Sequence, residues 1–177
     1  MPGGTPATDE TVRMLFELLS KGTNASTENP HARASWDKRK ALVCTSESYR
    51  DVVSRQLSEC GCQVFVAEET RQAVETMRAN KMDVVLLEPQ FDPAEQGSVF
   101  VTREINVMRP PQRRRLFFVL LSPSHRTMDA HAAFLNNVNA VVNLADIEEL
   151  SHILEVALRE YNELYREFYV ASGLTAL

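Results

Sequence analysis

No apolar run in this sequence approaches the roughly 20 residues that a membrane-spanning helix requires. The N-terminus also lacks a basic stretch followed by an apolar one. Neither export nor membrane insertion is therefore expected, and a cytoplasmic location is. Cysteine is scarce: Cys44, Cys60 and Cys62 are odd in number and have no second pair at zinc-ligand spacing. That excludes a disulfide framework and leaves ordinary thiols in a reducing compartment. Basic residues are outnumbered, 19 Lys and Arg against 24 Asp and Glu for a net charge of -5. Such a balance argues against a dedicated surface for nucleic acid or anionic membrane. Gly-rich phosphate loops and Gly-x-Ser-x-Gly elbows are also missing. His31, His125, His131 and His152 are scattered, with no metal-ligand spacing to the carboxylates. His125, close to Ser122 in sequence, is the one to inspect as half of a dyad. No enzyme, cofactor or metal centre is expected.

What the chain does have is apolar content, 44% of 177 residues, enough for one domain of about 130 residues with appendages. Residues 1–37 read as an N-terminal amphipathic helix and a polar linker. Thr8 or Asp9 caps a helix through Lys21, with Val12, Leu15, Phe16 and Leu19 on one face and Gly22 as its stop. The stretch 22–37 is polar, and Trp36 marks the return to the fold.

Residues 38–177 alternate between strand and helix signals. Ala41–Cys44, Val64–Ala67, Val84–Leu87, Leu116–Leu121 and Ala140–Asn143 read as strands. Between them run helices marked by Tyr49, Val53 and Leu57, by Ala73, Val74 and Met77 after a Thr70 cap, by Val101, Ile105 and Met108, and by Met128, Ala132 and Leu135. Pro110 and Pro111 stop the third of these. Short connections and wholly apolar strands imply an α/β fold with a doubly wound, five-stranded parallel sheet covered on both faces.

A capping box at Asp146 and Glu149 predicts a last helix running to about Tyr169. At 1.5 Å per residue it extends on the order of 36 Å, well beyond what covering a sheet needs. Leu150, Ile153, Leu154 and Ala157 face the sheet, and Tyr161, Leu164, Tyr165 and Phe168 continue the stripe past it. Two readings stand side by side: the N-terminal helix packs there, or the stripe is a homodimer or partner interface.

Asp83-Val84-Val85-Leu86-Leu87-Glu88-Pro89 places an acid at the exit of a buried strand, where open α/β sheets hold their chemistry. The (βα)5 order, this acid, a hydroxyl residue after the fourth strand and the Ala140 turn before the fifth together resemble the receiver domains of two-component signalling, a flavodoxin-like fold. The likeness covers about Lys38 to Tyr161. It implies an acidic pair after the first strand for Mg2+, an aspartate after the third as phospho-acceptor, a hydroxyl after the fourth and a lysine after the fifth. In this chain the acidic pair falls on Thr45 and Ser46, with Glu47 nearest, and hydroxyls are poor ligands for a hard dication. The acceptor position holds Glu88, one methylene too long for in-line transfer. The hydroxyl position is Ser122, as in the family. The lysine position falls on Asn143, which carries no ammonium.

Carried over, the resemblance implies a pseudo-receiver that takes no phosphate and acts by contact with protein partners in bacterial signalling. Its contact face is the fourth helix, fifth strand and fifth helix, here about Met128 to Tyr165. Glu88 is expected to bond Ser122 or Thr45 in a decayed pocket. The alternatives are an atypical phospho-acceptor using Ser122 or His125, with Mg2+ on Glu47 and Glu88, and a regulatory domain that binds a small molecule. The cluster Arg109, Arg113, Arg114 and Arg115 reads as a solvated loop, and Cys60-Gly61-Cys62 as a structural turn.

Overall fold

The computed structural model describes residues 39–177. The N-terminal helix and linker expected over 1–37 lie outside the described residues. Five strands, β1 (Lys40–Cys44), β2 (Gln63–Ala67), β3 (Val84–Leu87), β4 (Phe117–Ser122) and β5 (Ala140–Asn143), form one parallel sheet in the order β2-β1-β3-β4-β5. Helices α1 (Glu47–Glu59), α2 (Thr70–Ala79), α3 (Gly97–Asn106), α4 (Pro110–Arg113), α5 (Ala130–Leu135), α6 (Leu150–Leu164) and α7 (Arg166–Ala171) connect and follow them. This is the doubly wound α/β fold that the strand and helix alternation predicts. No helix among the described residues is long and apolar enough to cross a membrane.

Strand alternation sorts the core into two layers. Ala41, Val43, Val84, Leu86, Phe117, Val119 and Leu121 face one side of the sheet, where Val53 and Leu57 of α1 and Leu150, Leu154 and Leu158 of α6 cover them. Leu42, Cys44, Val85, Leu87 and Phe118 face the other, under Ala73 and Met77 of α2 and Val101 and Ile105 of α3. Val141 continues that second face under Ala132 and Ala133 of α5. A fully buried aliphatic side chain contributes about 1.5–3 kcal/mol. The four apolar residues of β3 are all buried, on both faces of the sheet.

Several ends differ from the sequence reading. Pro110 and Pro111 do not merely stop a helix: they open the single turn of α4, where a missing N–H costs nothing. Thr70 is the first residue of α2 and Glu69 its N-cap, without a capping side chain. The predicted capping box at Asp146 does not form. Residues Leu144–Glu149 make a 3-10 helix capped by the Asn143 side chain, which accepts from the Ala145 N–H. Helix α6 starts only at Leu150, and it pauses at Tyr165 before α7.

The surplus aromatic stripe is largely absorbed by the chain itself. Tyr161 meets Phe117 edge-on, with ring centroids 5.2 Å apart, and the Tyr161 and Tyr169 hydroxyls both donate to the Arg114 carbonyl, at 3.1 and 3.2 Å. Gly173, at φ +61°, ends α7 in the left-handed conformation glycine favours, and the Leu174 N–H returns to the Tyr169 carbonyl. The tail then folds back so that Leu177 is buried and exchanges two hydrogen bonds with the Asn162 side chain. Tyr161 is therefore a core residue, whereas Leu164 is 75% exposed.

Candidate functional site

The sheet order reverses between β1 and β3, and the C-terminal ends of these strands form the crevice typical of such folds. Cys44 pairs with Leu87, so Thr45 and Glu88 leave the sheet side by side. Both are buried, Thr45 at 1% and Glu88 at 4% exposure. Buried carboxylates require a partner, and Glu88 has one in the backbone: the Ser46 N–H donates to its Oε2 at 2.7 Å. Ser46 is the N-cap of the 13-residue helix α1, so the carboxylate sits at the positive end of the helix dipole. Its own backbone is also tied down, Glu88 N–H to the Cys44 carbonyl and Phe91 N–H to the Glu88 carbonyl, at 2.9 and 3.0 Å.

The expected bond from Glu88 to Ser122 or Thr45 does not form. The Thr45 hydroxyl has no hydrogen-bond partner among the described residues. Ser122 belongs to a separate cluster: its Oγ lies 2.9 Å from His125 Nδ1 and 3.2 Å from Ser124 Oγ, and it accepts from the Ser124 N–H. Thus Ser122 and His125 do meet, but neither is hydrogen-bonded to Glu88. Glu47 opens α1 and is exposed.

Asn143, read as the lysine-equivalent position, holds the β4–α5 loop. Its Nδ2 donates to the His125 carbonyl at 2.6 Å, and its N–H donates to Thr127 Oγ1 at 2.9 Å. The Thr127 hydroxyl donates onward to Asp146, and the Met128 N–H reaches the Val141 carbonyl at 2.8 Å. Met128 takes φ +60° within this loop, a conformation a non-glycine residue keeps only where its surroundings hold it. Asp146, read as a helix cap, acts instead as an acceptor for the loop.

A second tie lies beyond Glu88. Asp92 Oδ2 accepts from both the N–H and the hydroxyl of Thr70, at 2.8 and 2.6 Å. These bonds hold its carboxyl below the ordinary aspartate range, the hydroxyl bond contributing most. Gly97 is needed there because a Cβ would meet the Phe91 carbonyl at 2.7 Å and the Thr70 hydroxyl at 2.8 Å. Burial pushes the Cys62 thiol up to about 12 and raises that of Cys60, so both are protonated thiols at neutral pH.

The five-stranded parallel sheet with helices on both faces is the fold of response-regulator receiver domains. Among solved structures, the chain is similar to a probable two-component system response regulator/GGDEF domain protein, at 19% identity and a TM-score of 0.57, over 73% of this chain and 52% of that one. It is similar to a chemotaxis response regulator of Vibrio cholerae at 23% identity and a TM-score of 0.54, over 68% and 99% of the two chains. A response regulator from Thermotoga maritima gives 15%, 0.51, and 68% and 97%. The chain spans about half the length of the first of these, 52%. No protein-family model and no curated protein sequence matches it. At these identities the likeness is one of fold.

The residues present do not fit the Mg2+ that this fold family implies. Thr45 and Ser46 offer no carboxylate, one Glu88 oxygen is already committed to an amide, and no cluster of three His, Cys, Asp or Glu side chains suited to a metal occurs among the described residues. Sequence reasoning missed the Ser46 N–H as the answer to Glu88 because a backbone donor leaves no mark in residue identity. It also missed the part played by Asn143, though an Asn at the end of a strand before a turn is a recognised local capping signal.

Proposed function

We propose that this chain is a pseudo-receiver, a cytoplasmic signalling module in two-component-type regulation that accepts no phosphate and acts by contact with protein partners. One observation carries the reading: the Ser46 N–H occupies Glu88 at 2.7 Å where the family places a metal-binding acid beside a phospho-acceptor. The buried carboxylate is thereby satisfied without metal, and its attacking geometry is lost. Asn143 supplies hydrogen bonds and no cation of its own. No catalytic activity follows from these residues.

The contact face is the surface around α5, β5 and α6. Phe134 and Leu135 on α5 are 82% and 67% exposed, and Met128 is exposed in the loop before α5 that Asn143 holds. Large apolar side chains held in water at one place support a binding role. Homodimerisation through the last helix rests on Leu164 with the half-buried Tyr165 and Phe168, since Tyr161 is used within the core. Leu164→Glu lowers the apparent mass in light scattering if the dimer exists, and an unchanged mass removes it. The decisive experiment is an amide NMR titration with Mg2+ followed by beryllofluoride. The pseudo-receiver reading expects no saturable shifts at Glu47, Glu88 or Ser122; saturable shifts there overturn it.

The 2.9 Å contact between Ser122 Oγ and His125 Nδ1 favours one second reading, an atypical phospho-acceptor in which the imidazole takes the serine proton. Incubation with acetyl phosphate and intact-mass analysis separates the two. A gain of one phosphoryl group that Ser122→Ala abolishes establishes this second reading, and an unchanged mass excludes it.

A further inference from the structure

At the end of the sheet opposite Glu88, where Met82 leads into β3 and Leu116 into β4, the last turns of α2 and α3 and the turn of α4 line an open pocket of about 470 Å3. That is within the range of roughly 300–1,000 Å3 found for small-molecule sites. Its floor is apolar and buried, formed by Met77, Met82 and Leu116. Val107 stands at the rim, 69% exposed, with Met108 beside it. Unbranched thioether side chains reshape readily around an apolar guest.

The charges around this pocket do not balance. Arg78 and Glu104 pair with each other through two hydrogen bonds of 2.8 and 3.0 Å and so cancel. Lys81 and Arg115 line the same space, and neither forms an ion pair among the described residues. Arg115 gives one Nη to the Thr175 carbonyl at 3.4 Å. A neutral apolar guest leaves both cations unanswered, and a cationic one meets two like charges. A guest with an apolar body and one anionic group satisfies both the floor and the rim.

We propose that this pocket is a binding site for a small amphiphilic acid, with its apolar body on the methionine floor and its carboxylate or sulfonate toward Lys81 and Arg115. The site is separate from the Glu88 crevice and independent of the pseudo-receiver reading. The test uses the full chain and two probes, the fluorescent sulfonate 1-anilinonaphthalene-8-sulfonate and decanoate. Saturable one-to-one fluorescence enhancement that decanoate displaces is expected. Lys81→Glu should weaken it by about tenfold or more through charge reversal, and Ala79→Trp, at an exposed lining position, should abolish it by filling the space. Thermal melts of both variants separate lost binding from lost folding. No saturable enhancement, displacement by decanol as effective as by decanoate, or binding that survives both substitutions overturns the proposal.

Discussion

Replacing Glu88 by aspartate installs the residue that the proposed likeness to receiver domains expects there, yet it should weaken this protein. The carboxylate retreats by one methylene, about 1.5 Å. The Ser46 N–H now lies 2.7 Å from Oε2, so the shortened side chain stops roughly 4 Å away, outside hydrogen-bond range. A hydrogen bond to a charged group contributes about 1.5–3 kcal/mol net, and placement at a helix N-terminus adds about 0.3–1 kcal/mol. Partial relaxation of α1 recovers some of this, leaving an expected loss of about 2 kcal/mol. For a chain of this size that lowers the melting temperature by about 4–8 °C. Urea denaturation and calorimetry measure it, with Glu88→Gln as the comparison. Glutamine keeps an acceptor oxygen at full reach and loses only the charge, so its cost is about 1 kcal/mol. An aspartate variant as stable as the parent, or one that gains Mg2+-dependent shifts with beryllofluoride, refutes the reasoning.

Three further outcomes follow from the packing. Tyr161→Phe forfeits the bond to the Arg114 carbonyl and costs about 1 kcal/mol, Tyr161→Ala also opens the core beside Phe117 and costs about 3–5 kcal/mol, and Leu164→Ala stays within about 0.5 kcal/mol in the same urea series. Asn143→Lys removes the donor to His125 and the acceptor for Ala145, so it lowers stability by about 1–3 kcal/mol and speeds amide hydrogen exchange across 125–128 instead of restoring a switch. The Asp92 carboxyl is held low by Thr70. A depressed carboxyl contributes stability that is complete above the ordinary aspartate value of about 3.9 and is lost as pH falls through the lower folded value. Melting temperature should therefore fall in acid, and Asp92→Asn should flatten that fall.

Periodicity and burial made the architecture legible. The apolar run Val84–Leu87 reads as a strand covered on both faces, and the five strands sit within a residue or two of where alternation places them. Local capping rules were less secure because tertiary demand competes with them. Asp146 matches a capping box in sequence, but Thr127 sits across from it and takes the carboxylate for the loop. The C-terminal tail was illegible: Gly-Leu-Thr-Ala-Leu has no period, and Leu177 is buried by contacts with α6 rather than by local preference. At the site, Thr45, Ser46, Glu88 and Asn143 could be named from the sequence as candidate positions. Their partners could not, since three of the decisive groups are the Ser46 N–H, the Ala145 N–H and the His125 carbonyl, which residue identity does not encode.

A built-in mimic of a phosphorylated aspartate at Glu88 makes a different prediction from the pseudo-receiver proposed above. A phosphoryl group brings close to two negative charges and three acceptor oxygens at neutral pH. Glu88 brings one charge and two oxygens, and the Ser46 amide already holds one of these. The hydroxyl that a phosphoryl group would draw in belongs to Ser122, and it is engaged with His125 at 2.9 Å. Removing the charge therefore has nothing to release on the β4 side. In Glu88→Gln, amide shifts should be confined to residues 44–48 and 87–91, with Ser122 through Thr127 unmoved. A mimic predicts the opposite, a coordinated shift of Ser122, His125 and the loop that Asn143 holds, because those groups would be responding to the charge.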